Sequence, residues 1–165
     1  MTMKGYGEYE KLIVQLLQNP EWDVSALPPI SALNAPQVKP RIYVLFTGST
    51  FLSTSNLGDF AQDENLTFEV YIVARSREGD RGVFATSEEI MQRVLKWRPD
   101  KDATDNVTLN AFGYVDGIQN NWQYKLTFSF SRPRVKVVSD EVEDMDGVLL
   151  KKVHQHWIYK NNLNS

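Results

Sequence analysis

Residues 65–76, "NLTFEVYIVARS", decide the fold. In an extended strand successive side chains point to opposite faces, so Leu66, Phe68, Val70, Ile72 and Ala74 share one side. Thr67, Glu69, Tyr71, Val73 and Arg75 share the other. The first set is a core face. The second mixes charge, aromatic ring and aliphatic carbon, a composition suited to neither water nor a dry core.

Two further segments carry the same alternation. In "NWQYKLTFSFS" (121–131) Trp122, Tyr124, Leu126, Phe128 and Phe130 alternate with Gln123, Lys125, Thr127, Ser129 and Ser131, a half-buried strand. "NVTLNAFGYV" (106–115) precedes it across Asp116-Gly117, which predicts a hairpin. "RIYVLFT" (41–47) is apolar on both faces. Two helices complete the set. Residues 6–18 place Tyr6, Tyr9, Leu12, Ile13, Leu16 and Leu17 at helical spacing, ending at Asn19-Pro20. "TSEEIMQRVLKW" (86–97) has Thr86 as N-cap with Glu89 three residues later, a capping box, and an apolar stripe of Ile90, Met91, Val94 and Leu95.

Between the first helix and Pro40 lie five of the seven prolines, which predicts extended chain over the surface. The 17 residues 48–64 form a long loop bearing Phe51, Leu52, Leu57 and Phe60, either folded back over its own sheet or applied to another chain. After "RVKVV" (134–138), read as a strand, and the acidic turn 139–147, "VLLKKVHQHWIYK" (148–160) fits two readings. Leu149, Val153 and Trp157 make a helical stripe, whereas Asp146-Gly147 favours a turn into a strand or extended arm. The expected fold is α+β: a mostly antiparallel sheet of four or more strands, two helices on one face, and a C-terminal hairpin or arm. Residues 1–138 form the domain and 139–165 the extension.

Composition narrows function. The chain has 165 residues, net charge −3 and no cysteine, which excludes disulfides and thiolate chemistry and gives no overall attraction to nucleic acid. No segment approaches the roughly 20 apolar residues of a membrane helix, so a soluble protein made in a cytoplasm is expected, with no membrane partner. The Asn65 and Asn106 sequons read as chance matches. His154 and His156 sit at strand spacing without a third ligand, and are read as exposed polar residues. Aligning Gly147 with the glycine of a calcium loop puts Val142 where a carboxylate belongs, so the acidic run is a solvated turn. Arg75, Arg77 and Arg81 are interleaved with Glu78 and Asp80, a solvated loop rather than a phosphate site. Trp97 reads as a core edge. There is no phosphate loop or nucleophile elbow, and neither an enzyme nor a cofactor is expected.

The order of elements resembles the Mu-like tail-terminator family of tailed phages, which also occurs in prophages and phage-tail-like bacteriocins. The pieces are "YEKLIVQLLQ", a proline-rich connector, "PRIYVLFTGSTF", "QDENLTFEVYIVARS" with Gln62 before the strand and Arg75 at its end, "EEIMQRVLKWRP", and "NNWQYKLTFSFSR". The resemblance covers about residues 6–134. It implies a homohexameric ring on the last ring of the tail tube protein, stopping polymerisation and presenting a surface to the head-side connector. In a contractile tail it also implies an anchor for the last ring of sheath protein. DNA would pass through the ring without specific binding. The expected location is the virion tail or neck, assembled in the host cytoplasm. Phe51, Leu52, Leu57, Phe60, Glu69, Tyr71 and Arg75 are the expected interface with neighbouring subunits or tube. Val148, Leu150, Val153, Trp157 and Tyr159 are the expected contacts of the arm. The rival readings are another neck or tube protein, such as a head–tail connector, and a small hydrolase using His154 or His156.

Overall fold

Burial along residues 64–72 follows the alternation: Glu64, Leu66, Phe68, Val70 and Ile72 are buried, while Asn65, Thr67, Glu69 and Tyr71 are half-buried; at the end of the strand Val73 and Ala74 are both buried. The computed structural model describes residues 4–26, 38–52, 61–101, 104–115 and 121–135. The elements are α1 (Tyr6–Leu16), β1 (Asp23–Ala26), β2 (Arg41–Phe51), β3 (Ala61–Ala74), α2 (Val83–Lys96), β4 (Thr108–Val115) and β5 (Trp122–Val135). They build a five-stranded mixed sheet in the order β1-β2-β3-β5-β4, an α+β fold.

The core lies on one sheet face. Ile42 and Val44 of β2, Leu66 to Ile72 of β3 and Leu126, Phe128 and Phe130 of β5 meet Tyr9 and Ile13 of α1 and Val83, Ile90 and Val94 of α2. Rings lock its centre: Phe68 stacks on Phe128 and Phe130 at 5.8 and 5.5 Å, and Tyr9 meets Phe130 edge-on at 5.1 Å. Trp97 meets the same Phe130 at 6.0 Å, a core edge as expected. A bulge between Phe46 and Gly48 interrupts the β2–β3 ladder, and the Phe46 N–H donates to Glu10 Oε2 at 2.8 Å, binding β2 to α1. Arg93 of α2 donates to the Leu16 and Gln18 carbonyls at 3.3 and 3.0 Å, satisfying groups that the end of α1 leaves open.

Five expectations are corrected. The connector is not all surface chain, because Asp23–Ala26, between Pro20 and Pro28, pairs in parallel with Arg41–Val44 as an edge strand. The long loop is mostly hairpin: β2 and β3 pair out to Phe51 and Glu64, leaving residues 52–60 between the strands. Helix α2 begins at Val83, with Gly82 as N-cap, and Thr86 lies inside it with a buried hydroxyl that has no partner. The amides of Val83 and Phe84 find the Ser76 and Arg77 carbonyls at 3.0 Å, so the preceding loop supplies the cap and Glu89 pairs with Arg93 instead. Leu95 is 48% exposed and Val83, Thr86 and Ser87 take its place on the buried face. Finally, Arg134 and Val135 continue β5 past Pro133, which lies beyond Ser129, the last β5 residue in register with β4, rather than opening a new strand; residues 136–138 lie outside the described residues.

The chain divides into two compact units: Met1–Phe51 with Glu64–Arg132, and Leu52–Asp63 with Pro133–Ser165. The helices and core belong to the first. In the second, the Leu52 N–H donates to the Asp63 carbonyl at 2.9 Å. No described helix is long and apolar enough to cross a membrane.

Candidate interaction surface

Phe51, the last residue of β2, is 50% exposed, and Leu52 after it is 54% exposed. Leu57 and Phe60 lie outside the described residues, as do Val148, Leu150, Val153, Trp157, Tyr159 and both histidines. Glu69 and Tyr71 sit on the sheet face turned away from the helices. The Tyr71 hydroxyl donates to Glu69 Oε2 at 2.5 Å, and Lys125 Nζ lies 3.5 Å from Glu69 Oε1. Burial, then the hydrogen bond and charge of Glu69, push the Tyr71 phenol up to about 12. This half-buried triad explains how a face neither polar nor apolar is held together: each polar group has a partner on the same face.

Arg75 is exposed just past the end of β3. From Glu64, which pairs with Phe51, to Arg75 is about 35 Å at the rise of a β-strand. Among the described residues of that set, three separate places along the sheet are therefore occupied. Glu69 and Tyr71 come together; Phe51 and Leu52 lie towards one end of β3 and Arg75 at the other.

Two constellations were missed from the sequence. The first is an aromatic patch where β4 meets β5. Phe112 stacks on Tyr124 at 5.3 Å, Tyr114 meets Trp122 at 6.0 Å, and Phe84 meets Tyr124 at 5.4 Å. The Arg77 guanidinium lies 5.2 Å from the Phe84 ring and 5.0 Å from that of Trp122, so the residue read as solvated loop is a cation stacked on aromatics. Tyr114 and Trp122 remain 54% and 37% exposed. The hairpin register, which pairs Tyr114 with Tyr124, was the signal available.

The second is a buried ion pair. Arg132 Nε donates to Glu64 Oε1, Tyr6 OH donates to Glu64 Oε2 at 2.5 Å, and Arg132 Nη1 donates to the Lys4 carbonyl at 2.6 Å. The guanidinium also lies 5.5 and 5.4 Å from the Tyr6 and Tyr9 rings. Burial alone would raise the Glu64 carboxyl, but the hydrogen bonds from Tyr6 and Arg132 outweigh it and hold the group below its ordinary value. Glu64 is in step with Leu66 and Phe68, and Arg132 with Phe128 and Phe130, so the alternation reaches both once the strands are drawn long enough.

Among the described residues no group of three or more His, Asp or Glu side chains could hold a metal ion. The geometry is one of surfaces and internal pairing. Comparison with protein-family models finds a match over residues 13–156 to a family described as Gp37 protein. No curated protein matches the chain.

Proposed function

The chain belongs to the Gp37 protein family, a phage-associated family, and on that premise we propose that it is a structural virion protein, the terminator of the tail. In this reading copies close into a homohexameric ring on the last ring of tube protein. The ring stops tube growth and offers its other side to the head-side connector, and to the last sheath ring if the tail contracts. The protein acts by fit and burial, without catalysis.

The observation that carries this reading is the exposed pair Phe51 and Leu52 at the end of β2. Full burial of such a side chain stabilises a contact by about 1.5–3 kcal/mol, and a ring repeats the gain at each subunit. A closed ring needs two different patches that meet head to tail. In this reading Leu57 and Phe60 also contact the adjacent subunit or the tube, and Glu69, Tyr71 and Arg75 face a neighbour. The segment holding Val148, Leu150, Val153, Trp157 and Tyr159 is an arm that adds a strand to a neighbouring sheet. The net charge of −3 per chain repels DNA passing through the ring.

The test is a chain carrying both Phe51→Ser and Leu52→Ser, produced during tail assembly. Both positions are exposed, so folding should be unchanged while tails lose length control. Tails of normal length from that variant would refute the reading.

A further inference from the structure

β1 and β4 stand first and last in the strand order, four strand spacings or about 19 Å apart. Each side carries a distinctive surface, and both surfaces lie at the same end of the sheet. Asp23, Arg41 and Val73 share one rung across β1, β2 and β3. Arg77, just past the end of β3, reaches Trp122, the first residue of β5. Val115, the last residue of β4, pairs with Gln123 beside it.

On the β4 side the Arg77 guanidinium stands over the Phe84 and Trp122 rings at 5.2 and 5.0 Å. The rings hold the cation without neutralising it: Arg77 is exposed, and its N–H groups meet no acceptor among the described residues. With exposed Tyr114 and Trp122 it brings together the three residue types most enriched at binding hot spots. On the β1 side lies a cleft of about 460 Å³. Trp22 and Tyr43 are its aromatic walls, and Gln18, Asp23, Ser25 and Arg41 supply its polar lining. Asp23 is exposed and its carboxylate has no cationic partner among the described residues, whereas Arg41 already has a contact in its own chain.

We propose that these two surfaces meet between neighbouring copies of this chain. Tyr114 and Trp122 of one copy enter the Trp22–Tyr43 cleft of the next, and Arg77 pairs with Asp23 there. Three observations select a second copy as the occupant. A cation without a counter-charge faces outward on one side and a carboxylate without one on the other, so the chain complements itself. Exposed rings on the first side answer an aromatic-walled cleft on the second. The two surfaces differ, occupy opposite sides of the sheet and stand at one level along the strands. A head-to-tail contact needs that arrangement if its rotation is to close into a ring instead of climbing into a helix. The inference rests on the ring reading and names the contact that builds it.

The full-length chain has no cysteine, so Ser25→Cys near Asp23 and Ser76→Cys beside Arg77, carried by separate copies, give an unambiguous pair. Both positions are exposed and the change is close to isosteric. A short bis-maleimide should join the two copies, with at least about tenfold less product from either like pair, as expected when two different patches meet. Adding Arg77→Glu to the second copy should lower the mixed yield at least about tenfold, and adding Asp23→Arg to the first should then restore it. The unfolding midpoint of each variant shows that it remains folded. No mixed product, like pairs as abundant as the mixed one, or a yield that ignores the charge reversals overturns the proposal. Open chains of growing length that keep this cross-link would refute the ring and leave the contact standing. A closed hexamer without the cross-link does the reverse.

Discussion

Glu64 and Arg132, 68 residues apart in the chain, meet at 2.9 Å with 0% and 3% of their side chains exposed. Each occupies a position where the alternation of its strand calls for an apolar residue. Two charges can be buried there because each is hydrogen-bonded more than once, to Tyr6 and to the Lys4 carbonyl as well as to one another.

Removing one partner should therefore cost far more than removing both. Arg132→Ala leaves a buried carboxylate facing rings and is expected to destabilise the fold by about 3–5 kcal/mol. The double variant Glu64→Leu with Arg132→Met should recover most of that loss. Urea denaturation of the three proteins measures it. A single-site loss below about 1 kcal/mol would contradict the burial described.

The same pair sets an acid limit. The Glu64 carboxyl is held below its unfolded value of about 4.3, so the native state binds fewer protons than the unfolded one. Its contribution is complete above that pH and is lost as pH falls through the lower native value. Stability measured from pH 6 downward should fall more steeply in the wild type than in the double variant. Parallel curves would refute the assignment.

Tyr71 makes an alkaline counterpart. With its phenol raised to about 12, its stabilising contribution is complete below about pH 10 and is lost as pH rises through the native value. Phenolate absorbance should show a component titrating near pH 12 that is missing in Tyr71→Phe. Glu69→Gln should move it down by removing the charge. An unchanged titration would show that Glu69 is not its partner.

Phe128 is fully buried and stacks on Phe68, so Phe128→Ala should cost about 3–5 kcal/mol. Thermal or urea unfolding checks the figure. A loss under about 1 kcal/mol would mean the core is centred elsewhere.

Gly82 tests how α2 begins. A Cβ there would lie 2.4 Å from the Glu78 carbonyl oxygen, which is backbone and cannot step aside cheaply. Gly82→Ala should destabilise the protein by about 1–3 kcal/mol and speed exchange of the Val83 and Phe84 amides. Thr86→Ala, expected to be costly if Thr86 were the cap, should be close to neutral, because its hydroxyl has no partner. The opposite ranking would restore the capping box.

The sequence by itself determined the parts whose pattern is local. Side-chain alternation is a covalent property of an extended chain, so the core faces of β3 and β5 were legible in residues 66–74 and 124–130, and Tyr9, Ile13 and Leu17 were legible as the buried stripe at and just beyond α1. What only the tertiary structure decided depends on partners far along the chain. Asp23–Ala26 is a strand because Arg41–Val44 lies beside it, and α2 starts at Val83 because the carbonyls of Ser76 and Arg77 satisfy its first amides. Glu64 and Arg132 are tolerated inside because folding brings each to the other. For the candidate surface, exposure of Phe51 and Leu52 followed from their place in the sequence, whereas the patch of Arg77, Tyr114 and Trp122 did not. A ring shows its chemistry in any sequence; only the register between strands says which rings share a face.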